Sequence, residues 1–300
     1  MKSISLCSAT NETYILGCAV ALLSAVAHAP AGVKLRVYVL DGGIRDQSWK
    51  RLESSISKCR SSCELIRLRP DMTTFAGLPK DWGSSVMTYA RLALPNMVGE
   101  DQLFYLDADI IVQAPWASLW NAGCGDATIA AAPDVITQTL GNDHLDFEKF
   151  GLDPAAPYFQ AGLLLINLEK WREQLVSEKV LDYLRENPGH CRFWDQSALN
   201  VVLYRQWRQL PPSWNTPAWW ADQRKNGVNL EVPALHFVGP HKPWIYGHHR
   251  SPTARIFFGW LDQTSWKRWR PTGVRQARKW AKYRLWKLAS DARTWAGRRA

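Results

Sequence analysis

The six cysteines of this 300-residue chain (Cys7, Cys18, Cys59, Cys63, Cys124 and Cys191) form no CxxC and no paired framework. Cys59 and Cys63 have a loose zinc-like spacing, but no second ligand pair accompanies them. This excludes a disulfide-stapled secreted domain and a structural zinc module, and it fits reduced thiols in a cytosolic protein. Internal repeats and low-complexity segments are also lacking. A membrane-spanning run is lacking too: the apolar stretch from Tyr14 to Ala29 is too short to cross a bilayer comfortably. Its ending, Ala27-His28-Ala29, resembles a signal-peptide cleavage site. Against a signal, the preceding region has only Lys2, and the polar stretch Ser8 to Thr13 separates it from the apolar run. The favoured reading is a strand (Ile4 to Cys7), a polar loop, and a buried helix with Ile15, Ala19, Leu22, Leu23 and Val26 at helical spacing.

Acidic residues are scarce at one end. From Arg250 to Ala300 there are fourteen Lys or Arg and only two acids, Asp262 and Asp291. That local net of +12, set against +10 for the whole chain, leaves −2 for residues 1–249. The body is near neutral and the tail is a polycation. With 46% hydrophobic residues the chain can bury a substantial core, which excludes a disordered protein. The organisation expected is one domain over residues 1–250 and a basic, Trp-rich segment over 251–300.

Strand-like and helix-like segments alternate. Val33 to Leu40 alternates, is rich in β-branched residues and stops at Asp41-Gly42-Gly43. Trp49 to Ile56 reads as a helix, Glu64 to Leu68 as a strand, and Val86 to Leu94 as a helix stopped by Pro95. Leu103 to Leu106, Ala127 to Ala132 and Leu163 to Ile166 read as core strands, and Asp134 to Pro157 as a surface loop. Gln174 to Arg185 and Gln196 to Tyr204 read as helices, and Leu210 to Asn226 as an irregular Pro/Trp-rich stretch. This order predicts an α/β fold: a Rossmann-like, mostly parallel sheet with flanking helices, and ligands at the carboxyl ends of its strands.

Two acids stand at the end of one buried strand. Asp107 and Asp109 are two apart, so in extended backbone they project to the same side. Carboxylates among apolar neighbours are costly without a cation, and they are hard oxygen ligands for Mg²⁺ or Mn²⁺. A lone Asp-x-Asp is equally compatible with a solvent-facing turn. A second segment, His236 to Trp244, places an imidazole, a glycine and a lysine in one loop after an apolar strand. Histidine completes a mixed oxygen–nitrogen site, glycine lets backbone approach a phosphate, and Lys242 supplies a point charge.

These blocks, taken together, resemble glycosyltransferase family 8, which contains bacterial lipopolysaccharide glucosyl- and galactosyltransferases and glycogenin. The blocks are Thr88 to Leu92, Tyr105-Leu106-Asp107-Ala108-Asp109, Tyr158 to Leu168 with Trp171-Arg172, Asp195 to Asn200, and His236 to Trp244. They occur in order between about Ile4 and Trp244. The resemblance implies a GT-A fold, a divalent cation (Mn²⁺, or Mg²⁺), a UDP-sugar donor, a glycan or glycolipid acceptor, and retention at the anomeric carbon. By position it implies that Asp107, Asp109 and His236 hold the metal, while Gly239 and Lys242 meet the diphosphate. Arg91 would clamp donor sugar or phosphate, Asp195 and Gln196 would face the sugar and its reacting carbon, and Asp134 would stand near donor sugar and acceptor. Ala9, Asn11 and Thr13 would line the uracil and ribose pocket. Ala108, Gln160, Ala161 and Gly162 complete the expected donor contacts.

Three positions depart from the family's usual pattern. Gln160 stands where Asn precedes Ala-Gly, Asn11 where many relatives carry Asp, and Ser197 where some bacterial members carry an acid after Asp-Gln. The missing acid argues against a covalent glycosyl-enzyme at that position. A nucleotidyltransferase, the alternative with a similar sheet, would need a Gly-rich phosphate loop with a basic residue near the first strand. Ser8 to Thr13 has neither.

Trp214, Trp219 and Trp220 suit either a sugar-stacking acceptor platform or loop packing. In the tail, Val274, Ala277, Ala281, Leu285 and Leu288 fall on one helical stripe with Arg275, Lys279, Lys282, Arg284 and Lys287 mostly off it. With Trp266, Trp269, Trp280, Trp286 and Trp295, that is the pattern of an interfacial helix on an anionic membrane. The alternatives are a basic face packed on the body, or a basic lipid- or nucleic-acid-binding protein with an inactive enzyme domain. The upstream motifs favour the inner face of the cytoplasmic membrane, and nucleic acid is not expected.

Overall fold

The structure, a computed structural model, describes residues 3–60, 62–79, 86–223, 230–239, 242–245 and 248–271, together with Ala281 and Leu285. Its central sheet is buried on both faces, and the alternation of its strands shows why. In β1 (Ser3–Thr10) Leu6 enters one core and Cys7 the other; in β2 (Lys34–Asp41) Val37 and Val39 face one way, Tyr38 and Leu40 the other. The remaining strands are β3 (Cys63–Leu68), β4 (Gln102–Leu106), β5 (Ile110–Val112), β6 (Ile129–Pro133), β7 (Phe159–Asn167), β8 (Trp207–Gln209), β9 (Thr216–Pro217) and β10 (Ala234–His236). Seven of them form a sheet in the order β3-β2-β1-β4-β7-β6-β8, and β5, β10 and β9 form a second, small sheet. In the large sheet β7 runs antiparallel to both neighbours, and the other adjacent pairs are parallel.

The apolar run with the signal-like ending is the helix Ile15–Ala27, in which every residue from Ile15 to Val26 is buried. It has no polar face because the sheet lies on one side while the helices Asp46–Cys59 and Pro252–Leu261 cover others. No described helix is long and apolar enough to cross a membrane.

Two expectations are corrected and a third is located more closely. Val86–Ala93 is a 3₁₀ helix, and Pro95 lies in the first turn of a further short helix, Leu94–Met97, where its missing N–H is not needed. The helix expected over Gln174 to Arg185 is present as Val176–Glu186, and Leu175, with φ of 51°, separates it from the short helix Leu168–Glu173 before it. The loop Asp134 to Pro157 contains a 3₁₀ turn, Leu140–Asn142, and a short helix, Phe147–Phe150.

The packed body continues past residue 250. Ser251 caps the helix Pro252–Leu261, its hydroxyl accepting from the Ala254 N–H at 3.1 Å. That helix buries Ala254, Phe257, Phe258 and Leu261 in the core beside the helix Ile15–Ala27. Trp266 follows them in, and the Ser265 N–H donates to Ser55 Oγ at 2.9 Å. Of the tail stripe, Ala281 and Leu285 are exposed; Val274, Ala277 and Leu288 lie outside the described residues.

Candidate active site

Strand direction brings the acids together with partners distant in sequence. β1, β2 and β4 are parallel, so their carboxyl ends share one edge of the sheet. β7 is antiparallel to β4 with Leu163 opposite Leu106, so the residues at its start arrive at that same edge. The Asp107 N–H donates to the Gly162 carbonyl at 2.7 Å, and this carries the ladder one step beyond the strand end. β5 leaves the turn at Ile110 and pairs with β10, His236 opposite Ile110; the Phe237 N–H donates to the Asp109 carbonyl at 2.9 Å. Gly17, in the helix beneath, is what lets the turn sit down: a Cβ there would lie 2.4 Å from the Ala108 carbonyl oxygen.

Arg91, 3% exposed, is the hub of one half of the site. Its Nη2 donates to Asp107 Oδ1 at 2.9 Å, its Nη1 donates to the Ala161 carbonyl, and its Nε lies 2.9 Å from Asp195 Oδ2 while donating to the Thr88 carbonyl. The guanidinium stacks 4.6 Å above the Tyr105 ring, and the Tyr105 hydroxyl donates to Asp107 Oδ1. Thr88, one 3₁₀ turn before Arg91, donates to Asp195 Oδ1. Burial raises the pKa of Asp107 and of Asp195, and Arg91 opposes the rise in both without cancelling it. Arg91→Leu should therefore cost about 3–5 kcal/mol of stability, because it leaves two buried carboxylates without their cation. Arg91→Lys should not restore it, since one ammonium cannot serve the positions that the guanidinium fork serves. Denaturant unfolding measures both; a loss below about 1 kcal/mol, the worth of a surface pair, would contradict this role.

The other half centres on Asp109. Lys242 donates to its Oδ2, and to the Phe237 carbonyl at 2.6 Å. His236 Nε2 stands 3.2 Å from Asp109 Oδ1. Burial pushes the Asp109 carboxyl up, but Lys242 and His236 more than reverse this and hold it well below the ordinary carboxylate range. Burial pushes Lys242 down, and Asp109 together with Tyr14 and Asp107 more than reverses this, so its pKa is raised. Gly239, in the loop between β10 and Lys242, has φ 74° and open space around it, so the turn needs glycine for its backbone conformation.

Asp107, Asp109 and His236 each offer one ligand atom, and these lie within 4.8 Å of one another. His236 Nδ1 is 2.8 Å from Asn215 Oδ1, so Nδ1 carries a proton and Nε2 faces Asp109. When the ring is neutral, two acceptors meet across that 3.2 Å gap, an arrangement that calls for a cation. A hard divalent ion suits two carboxylates and one imidazole, and the residues fit it. Gly162 keeps the space open: a Cβ there would lie 2.6 Å from His236 Cε1, 2.8 Å from Gln160 Oε1 and 2.9 Å from Asp107 Oδ2. Gly162→Ala should fold yet bind Mn²⁺ about 10–100-fold more weakly, as when a metal ligand loses its orientation. Unchanged affinity by calorimetry would show that the cradle is not needed.

Residues 5–247 match the description "Glycosyl transferase family 8". The chain belongs to that family. General stress protein A of Bacillus subtilis is 28% identical over 249 residues, 78% of this chain and 84% of that protein. The lipopolysaccharide 1,2-glucosyltransferase of Escherichia coli is 23% identical, covering 85% of this chain and 77% of its own length. The galactosyltransferase LgtC, solved with donor and acceptor sugar analogues, superposes with a TM-score of 0.72 at 24% identity over 87% of this chain and 96% of that one. The likeness shows the fold to be GT-A.

The positions expected for a family 8 enzyme fall around the cluster unevenly. Gln196 follows Asp195 at the start of the helix Asp195–Val202; its Oε1 accepts from the Ala161 N–H at 2.9 Å and its Nε2 donates to Asp134 Oδ2 at 3.1 Å. Asp134 Oδ1 accepts from the backbone of Ile136 and Thr137, which fixes the carboxylate. Asp134, Ala161, Gln196, Asp195 and Arg91 thus form one connected network. Ser197 is committed elsewhere, its hydroxyl accepting from the Phe193 N–H at 2.8 Å. Ala9 and Asn11 flank the carboxyl end of β1, with Asn11 Oδ1 accepting from the Thr13 N–H at 2.9 Å, and Thr13 is exposed. Asn11 Oδ1 also accepts from the Tyr14 N–H at 3.3 Å, and Lys242 sits 5.8 Å over the Tyr14 ring. Gln160 Oε1 accepts from Gly162 N–H and from Asn215 Nδ2. Trp214 is buried in the core and Trp219 is half-buried, while Trp220 is 39% exposed.

Asn215, Thr88 and Tyr105 are partners of site residues to which the sequence reading assigns no role, although Thr88 and Tyr105 open two of its blocks. Thr88 was recoverable from its i, i+3 relation to Arg91. Asn215 was not, because it stands in an irregular stretch with no period to place it.

Proposed function

We propose that this chain is a metal-dependent, retaining transferase that moves a hexose, glucose or galactose, from a UDP-sugar to a hydroxyl of a glycan or glycolipid, a lipopolysaccharide or another cell-surface saccharide. The observation that carries the reading is the convergence of Asp107, Asp109 and His236, with Lys242 against Asp109 and Arg91 against Asp107. Three carboxylates (Asp107, Asp109, Asp195) and two cations (Arg91, Lys242) leave the cluster one negative charge when His236 is neutral. Such a site does not take a diphosphate unaided; with a divalent ion bound it becomes positive and does.

Asp107, Asp109 and His236 would hold Mn²⁺ or Mg²⁺, which neutralises the diphosphate as charge develops on it. Lys242 adds a second positive charge on the departing side. Gly239 and the backbone beside it leave room for the phosphate, and Ala9, Asn11 and Thr13 line the uracil and ribose pocket. Asp195, Gln160 and Asp134 meet the sugar from the side of β7. The acceptor hydroxyl attacks the anomeric carbon on the face from which UDP leaves; its proton passes to the departing phosphate oxygen as the C–O bond to UDP breaks. Gln196, held at both ends by Ala161 and Asp134, presents a fixed carbonyl dipole to the anomeric carbon as it becomes positive. No close carboxylate pair is required, unlike a retaining hydrolase. The basic segment after Pro271 would hold the enzyme on anionic lipid at the inner face of the cytoplasmic membrane, near a lipid-linked acceptor.

UDP release from UDP-glucose and UDP-galactose, with and without EDTA, tests the reading. Release should stop in chelator and return with Mn²⁺. Full activity in EDTA, or no release with any UDP-sugar, would overturn it.

A further inference from the structure

The departure at Gln160 has a structural counterpart. A backbone N–H can only donate, so the atom of the Gln160 side chain that meets the Gly162 N–H, at 2.5 Å, must be its oxygen. That oxygen also meets the Asn215 side chain, which must therefore present its NH₂ group. The Asn215 oxygen is then the atom turned to His236 Nδ1 at 2.8 Å, so Nδ1 must carry the proton. A fixed donor in the β7 backbone thus sets, through two amides, the face that His236 shows to Asp109. Both Asn215 and His236 are buried, at 4% and 3% exposure, so bulk water does not substitute for either partner.

We infer that Gln160 and Asn215 are positioning residues that hold a proton on His236 Nδ1 and so reserve Nε2 for the cation. The inference rests on the proposed cation site. It gives Gln160 a task apart from touching the sugar. Without the Gln160 oxygen, the Asn215 amide is free to turn and offer its NH₂ to Nδ1. The ring then carries its proton on Nε2, where it blocks a metal.

Two readouts on the full chain test this: ¹⁵N NMR of the histidine rings in metal-free protein, which reports whether Nδ1 of His236 is protonated, and Mn²⁺ affinity by EPR titration. Wild type should show Nδ1 protonated. Gln160→Met should show a population lacking that proton and bind Mn²⁺ about 10–100-fold more weakly, the usual effect of losing a partner that orients a metal-bound histidine. Asn215→Leu should do the same where it folds; Gln160→Met, at a half-buried position, carries the test if it does not. Gln160→Glu keeps an acceptor for Asn215 and should retain both the proton and the affinity. An unprotonated Nδ1 in wild type, or an unchanged Nδ1 signal in Gln160→Met, overturns the relay. Failure of wild type to bind Mn²⁺ overturns the cation site instead, and the NMR result still judges the relay.

Discussion

Asp109→Asn should reduce sugar transfer by at least about 10²–10³-fold, the loss that follows removal of one charge-stabilising group from an enzyme site. The carboxylate has two tasks, and the substitution separates them. One oxygen faces His236 at the cation position; the other takes the Lys242 ammonium. An amide still accepts from Lys242 but no longer neutralises it, and Lys242 is only 5% exposed. Breaking a buried pair in this way costs about 3–5 kcal/mol. The double variant Asp109→Asn with Lys242→Gln removes the stranded charge and should recover much of that stability. It should recover no activity. If the double variant regains transfer, Asp109 serves only to partner Lys242 and the cation assignment fails.

Ending the chain at residue 250 should abolish the native fold, whereas ending it at Pro271 should leave melting behaviour nearly unchanged. Phe257, Phe258, Leu261 and Trp266 are all buried against the helix Ile15–Ala27 and its neighbours. At about 1.5–3 kcal/mol for each large apolar side chain, their loss approaches roughly 6–12 kcal/mol. The whole stability of a protein is about 5–15 kcal/mol, so this is most or all of it. The Ser265 N–H to Ser55 bond and the Thr253 bonds to Asp222 are lost as well. Calorimetry of the two truncations decides the matter. A cooperative transition in the 1–250 protein near that of the full chain would show that this helix is an appendage.

The strand ends that position the candidate site were legible because they rest on local rules. A buried strand running into Asp107-Ala108-Asp109 announces charged groups at a strand end, and the alternation in β1 and β2 announces strands buried on both faces. His236 was legible by the same logic, as the last residue of a short apolar strand. The boundary at residue 250 was drawn on charge, and charge was a poor guide there. Arg255, Lys267 and Arg268 are exposed beside buried neighbours: Arg255 lies on the open face of the helix Pro252–Leu261, Lys267 and Arg268 lie in the turn after it, and Arg51 stacks over buried Trp266 at 5.9 Å. Leu175 separates the helices Leu168–Glu173 and Val176–Glu186 by a backbone angle that no composition signal marks. The tie from Gln160 through Asn215 to His236 joins residues 55 and 21 apart in the chain, through a loop without period. Only the folded backbone brings them within reach.

The central claim is transfer with retention, directly from donor to acceptor. The measurement that tests it most directly is NMR of the first-formed product from an α-linked UDP-hexose, with the protein probed in parallel for a trapped glycosyl adduct. The account predicts an α-linked product and an unmodified enzyme, since Ser197 is buried and occupied by the Phe193 N–H where an acid would be needed. A β-linked product, or a hexose covalently attached to the chain, would contradict it.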